Sequence, residues 1–185
     1  MTTPDKNIIQ QTKRWIEDIV IGLNLCPFAA QPFNDNRIEY IVSDNNEIEK
    51  DLQELAICFS ILDNRVSIET ILLIFPQAYK NFDDYLEILY LANLLLEDLK
   101  LSGTYQLASF HPDYHFEGSA IDDASNFTNR SPFPMLHILR ERSIERAIKS
   151  YNHIETVPRN NIKNLREIGF NVMQQTLKDI QDDIK

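Results

Sequence analysis

The run Ile71-Leu72-Leu73-Ile74-Phe75 is apolar at every position. A strand with one face in water alternates apolar and polar residues, so an unbroken run fits a central strand covered on both faces. That requirement shapes the rest of the chain, because helices must then lie on both sides of a sheet. The strand is read over Ser67 to Phe75. Before it, Arg37 to Val42 alternates and is rich in β-branched residues, which marks another strand. Between the two, Ile48, Leu52, Leu55, Ala56, Phe59 and Leu62 recur at helical spacing. A helix from about Asp83 to Leu101 follows, then Gly103 at a helix C-cap position and a third strand from Thr104 to Phe110. Two consecutive β-α-β crossovers of the usual right hand make the three strands parallel, so Phe75-Pro76 and Phe110-His111-Pro112 end at one edge of the sheet.

An amphipathic helix carrying Ile8, Trp15, Ile16, Ile19, Val20 and Leu23 precedes these elements. Two more helices are expected after them, from about Met135 to Ser150 and from about Asn161 to Asp183, the second interrupted at Gly169. The expectation is therefore a single α/β domain over residues 1–185. Its sheet is small, mostly parallel and three-stranded, with a fourth strand as the alternative, helices on both faces and two C-terminal helices. The 83–101 helix carries two apolar stripes, one through Tyr85, Ile88, Ala92 and Leu96 and one through Leu86, Tyr90 and Leu94. Two stripes call for two partners: the sheet, and either the amino-terminal helix or a second copy, which would make a homodimer through residues 86–101.

Charge narrows the choice of partner. The 185 residues carry a formal net charge of −10, and a polyanionic nucleic acid or an anionic membrane is recognised by clustered Lys and Arg. A small molecule or a protein partner fits better. The first residues, MTTPDKNIIQQTKRW, contain no basic segment followed by an apolar run, and no stretch reaches the roughly 20 apolar residues of a membrane span. A cytoplasmic protein is expected. Its two cysteines, Cys26 and Cys58, are too few for a disulfide framework.

Unlike polar groups concentrate between Gln106 and Glu141, which hold His111, His115 and His137 beside aromatic residues. Read as a helix, Met135 to Ser150 puts His137 and Arg140 on one side with Leu136, Ile144, Ala147 and Ile148. A buried guanidinium keeps its proton, so Arg140 needs a carboxylate, several carbonyls or a bound anion. Asp122, Asp123 and Glu117 are the carboxylates at hand; a small-molecule anion held with help from Arg130 is the alternative. His111 lies where the third strand ends, a usual place for ligands in α/β proteins. His115 would share its face if the segment turned helical. Asn129, Arg130 and Ser131 form a rigid turn before Pro132 that could orient a ligand, as could Tyr114.

Cys26 follows a helix C-terminus, where the partial negative charge disfavours a thiolate. To act as a nucleophile it needs His111 or His137 as its base. The same three side chains are the candidate ligands for zinc or iron. With four glycines in the chain, neither a phosphate-binding Gly-rich loop nor a dinucleotide fingerprint is present, and no nucleotide cofactor is expected. No Gly-x-Ser-x-Gly elbow occurs either.

Three motifs in order, Asn24-Leu25-Cys26-Pro27-Phe28, Phe110-His111-Pro112-Asp113-Tyr114 and Asn129-Arg130-Ser131-Pro132 continuing to Leu136-His137-Ile138-Leu139-Arg140-Glu141, resemble a bacterial family catalogued as domain of unknown function 1415. The resemblance spans nearly the whole chain and implies a small single-domain cytosolic protein; it implies no activity. The residues themselves suggest an enzyme, a hydrolase or transferase, that acts on a small anion at the carboxyl edge of the sheet. Arg140 and Arg130 would hold the anion, with Asn129 and Tyr114 beside it. His111 or His137 would be acid or base, and Cys26 nucleophile or metal ligand. A zinc or iron enzyme and a noncatalytic binding or assembly protein are the rivals.

Overall fold

A computed structural model describes residues 2–151 and 153–182. In chain order the elements are α1 (Thr3–Trp15), a π-helical stretch (Ile16–Ile21), α2 (Ala30–Asn34), β1 (Ile38–Val42), α3 (Ile48–Asn64), β2 (Thr70–Ile74), α4 (Phe82–Asp98), β3 (Tyr105–Phe110), a 3-10 turn (Ala124–Thr128), β4 (Met135–Arg140), α5 (Glu141–Ser150), a 3-10 turn (Ile154–Thr156), α6 (Val157–Ile168) and α7 (Phe170–Asp182). The sheet is mixed, with four strands in the order β1-β2-β4-β3. β1 and β2 pair in parallel, whereas β4 runs antiparallel to both β2 and β3. The first three strands do share one direction. Parallel pairing is confined to β1 and β2, however, because β4 enters between β2 and β3, and the expected three-stranded, mostly parallel sheet is corrected accordingly.

That fourth strand replaces the first part of an expected helix. Met135 to Arg140 is apolar on both sides, as a strand between two neighbours must be, and Arg140 passes straight into α5 with no intervening turn. His137 and Arg140 therefore obey a period of two and face opposite sides of the sheet. The shared side expected from helical spacing is not formed.

Each face has its own core. On one, α3 and α4 cover Ile71, Leu73, Leu136 and Ile138; on the other, Trp15, Ile19, Leu165, Met173 and Leu177 cover Leu72, Ile74 and Met135. β2, the all-apolar run, is buried at every position. α1 packs on the face away from α4, so it is not the partner of the second α4 stripe, and Leu86, Tyr90 and Leu94 are exposed. Gly169 lies between α6 and α7 at φ +91°, a backbone region that few other residues enter, which explains the break there. Gly22 has a different reason for being glycine: a Cβ there would approach the Asp18 carbonyl oxygen to 2.3 Å where the π-helical stretch closes. Among the described residues, no helix is long and apolar enough to cross a membrane.

Candidate functional site

Residues pointing to one face of the sheet fall into three rows fixed by strand register. Ile38, Thr70, Leu139 and Gln106 form the first, Tyr40, Leu72, His137 and Ala108 the second, and Val42, Ile74, Met135 and Phe110 the third. The helical core covers the third row, but a cavity of about 840 Å³ lies above the first two. Its floor is the whole first row with Leu72, His137 and Ala108 from the second, and Trp15 and Phe110 close its inner end. Those two rings meet edge to face at 5.1 Å.

The walls come from segments flanking the sheet. Ile16 and Val20 belong to the π-helical stretch, Cys26 to Ala29 to the turn after it, and Ile144, Ala147 and Ser150 to α5. A 5.7 Å edge contact between Phe28 and Tyr151 joins the last two walls. α5 is polar on one side and apolar on the other, with none of its residues buried, and it turns Ile144 and Ala147 to the cavity. At the mouth, Glu69 lies 2.7 Å from Arg37 and 3.9 Å from Arg146.

His137 is the polar centre of the floor. Its Nε2 lies 2.6 Å from Thr70 Oγ1, whose single proton goes to the Ile138 carbonyl, so the ring must donate through Nε2. Nδ1 is then the basic nitrogen. Among the described residues it has no protein partner, and it is not sealed from the cavity that the ring lines. Burial away from bulk water pushes the ring down to about 4, which keeps it neutral at pH 7. The Cys26 thiol in the adjoining wall is likewise raised by burial, which outweighs two backbone N–H groups that favour the thiolate. The site thus holds two uncharged groups, one with a free lone pair and one with a proton.

His111 is elsewhere. It is fully buried among Phe82 and Tyr85 of the α4 side, with Nε2 2.9 Å from the Tyr79 carbonyl and Nδ1 accepting from the Asp113 amide at 2.9 Å. Both ring nitrogens are engaged, and it does not line the cavity. Cys26, His111 and His137 therefore do not converge. Among the described residues, no group of three or more His, Cys, Asp or Glu is placed to hold a metal ion.

The arginines are satisfied by carbonyls. Arg140 turns its guanidinium to the carbonyls of Leu62 and Ile68, near the C-terminus of α3 where a cation is favoured, and over the Tyr105 ring. Of the answers considered for its charge, several carbonyls is the one adopted. Asp123 instead pairs with Arg166 at 2.6 Å, and that guanidinium holds its carboxyl well below the usual carboxylate range. Arg130 donates to the carbonyls of Tyr114 and Ile121 and lies over Phe127 and Phe170. Asn129 donates to Ser109, and the Tyr114 ring packs on Phe82 and Phe116. Asn126, fully buried, serves the same loop: it accepts from the Phe116 amide and the Ser119 hydroxyl and donates to Ala120 and Ile121. Residues 111–134 form a locked strap.

The carboxyl edge of the strands is consequently filled, and the cavity opens at the other end of the sheet. The candidate site expected from the sequence is at the carboxyl edge, where the 111–134 strap satisfies its own polar groups; the cavity lies at the opposite end. Thr70, Gln106, Arg37, Glu69 and Arg146, which line the cavity, are not among the candidates named from the sequence. The alternation of Arg37 to Val42 and the position of β4 would have identified the floor, since each strand contributes every second residue to it.

A family model described as "Protein of unknown function (DUF1415)" matches residues 7–175. No curated protein and no solved structure matches the chain.

Proposed function

The chain belongs to the DUF1415 family, and because that membership brings no activity with it, we propose from the cavity alone that the protein binds a small anionic molecule over the first two rows of the sheet. The observation that supports this reading best is the charge pattern of the mouth. Arg37 and Arg146 flank the single carboxylate of Glu69, leaving an excess of positive charge beside a cavity in a protein whose net charge is −10. Deeper in, His137 presents no charge and no donor to the ligand, because a neutral imidazole with Nε2 committed to Thr70 offers only the Nδ1 lone pair. The cavity has the size of ordinary small-molecule sites, roughly 300–1,000 Å³.

An enzymatic role follows the same geometry. His137 Nδ1 is the acceptor for a proton from bound substrate and Cys26 is a thiol in the same cavity; with the ring held down and the thiol held up by burial, Cys26 becomes a nucleophile only where a bound ligand reverses both effects. The supporting observation is that both groups line one cavity while His111 does not. Thermal shift against a panel of organic anions tests the binding reading. Compounds that stabilise the wild type should lose most of that effect in Arg146→Glu, a change at an exposed side chain. Equal stabilisation of the two proteins would reject the anion site.

A further inference from the structure

Resting on that anion site, we infer that its natural ligand is an amphiphilic carboxylate, a free acid anion with one apolar chain of about ten carbons. The carboxylate sits at Arg146, the guanidinium that Glu69 holds only at 3.9 Å, with Arg37 paired to Glu69 behind it, and the chain crosses the floor. Ile38, Leu139, Leu72 and Ala108 are the apolar part of that floor, which Thr70, His137 and Gln106 interrupt, and Ile144 and Ala147 of α5 roof it. Thr70 offers no free donor there, because its proton is already given to the Ile138 carbonyl. A ligand rich in hydroxyls would leave most of its polar groups unpaired.

Direction and length come from the register. Arg37 immediately precedes Ile38, the β1 member of the first row, so the positive mouth lies at the β1 edge. From there the row runs through Thr70 and Leu139 to Gln106 on β3. Three strand-to-strand steps span roughly 14 Å, and an extended chain of about ten carbons, roughly 11 Å long, passes Leu139 and stops short of the polar Gln106. The roof is a helix with no buried residue, held at one end by the Phe28–Tyr151 contact, so an apolar chain would complete the burial of its inner face. Free solution acids suit a cavity of this size; a bilayer surface would meet a strongly acidic protein.

Isothermal titration of the full chain with butanoate, hexanoate, octanoate, decanoate and dodecanoate reads the inference directly. Affinity should rise by up to about fourfold for each added methylene up to roughly ten carbons and then level off. Ile144→Gln on the roof should flatten that rise. Arg146→Glu should instead weaken every length by a similar factor. Arg146-dependent binding that is independent of chain length overturns the amphiphile and leaves the anion site standing. Length-dependent binding indifferent to Arg146→Glu overturns the anion site and this inference together. Absence of binding at every length, with no heat at either about 10 or about 35 °C, overturns it, and a dimer in sedimentation would then name a second copy as the occupant.

Discussion

His137 provides a measurement that separates a buried neutral ring from an ordinary surface histidine. Its folded-state pKa is depressed to about 4 by burial, against about 6.5 when unfolded. Between those values the unfolded chain binds more protons than the folded one, so stability is fully present above about pH 6.5 and is lost as pH falls toward 4. Linkage over that interval gives a loss of about 2.5 kcal/mol between pH 7.5 and pH 4.5 from this ring alone. Other groups titrate in the same range. Burial also lowers His111, and burial raises Glu54, with an opposite effect on stability. The comparison must therefore be differential. His137→Gln keeps a donor for Thr70 and removes the titration. Urea unfolding of both proteins at the two pH values should show wild type losing about 2.5 kcal/mol more than the variant. A pH dependence equal in the two proteins, or a His137 ring titrating near 6.5 by NMR, would refute the account of a neutral base at the cavity floor.

Two further outcomes follow from groups that are less exposed to solvent chemistry. Asn126→Ala strips the strap of its central amide: the Phe116 amide loses its partner, while the Ala120 and Ile121 carbonyls keep only the Asp123 amide and Arg130 as donors. It should cost about 1–3 kcal/mol, with faster hydrogen exchange confined to residues 111–134; a global change in exchange with no local excess contradicts the strap. Alkylation by iodoacetamide at pH 7.5 should be slow at Cys26 and slower still at Cys58, whose thiol is fully buried and pushed up to about 12, first by burial and then by the charge of Glu54. Rapid modification of Cys26 below pH 7 would mean that the thiol is activated in the resting protein.

Helices with a single apolar stripe and strands bounded by turn residues were legible in the sequence, and so was the shared direction of β1, β2 and β3. β4 was not. Its neighbour in the sheet, β2, declares itself because Ile71 to Phe75 has no polar residue, and an all-apolar run has no helical face to suggest. Met135 to Arg140 is the same kind of central strand, interrupted by His137 and ended by Arg140. Those two polar residues give it an apparent helical face. Glu141 then begins a true amphipathic helix without a glycine or proline between, so the periodicity of α5 extends backwards over the strand. The site loop misled for a related reason: Asn126, Asn129 and Arg130 look in sequence like groups awaiting a ligand, while in the fold they satisfy the backbone of their own loop.

Replacing a helix by a strand changes the chemistry as well as the topology. On a helix His137 and Arg140 would share a side, and a buried cation beside the ring would depress its proton affinity further while inviting an anion between them. Alternation divides their work. Arg140 goes to the α3 face, where carbonyls at a helix C-terminus hold it. His137 goes to the other face, where Thr70 fixes the tautomer and the cavity receives Nδ1. An anion entering this site must accordingly find its charge partner at the mouth, on Arg37 and Arg146. The histidine meets the uncharged part of the ligand and offers it a neutral ring with one acceptor nitrogen and no donor.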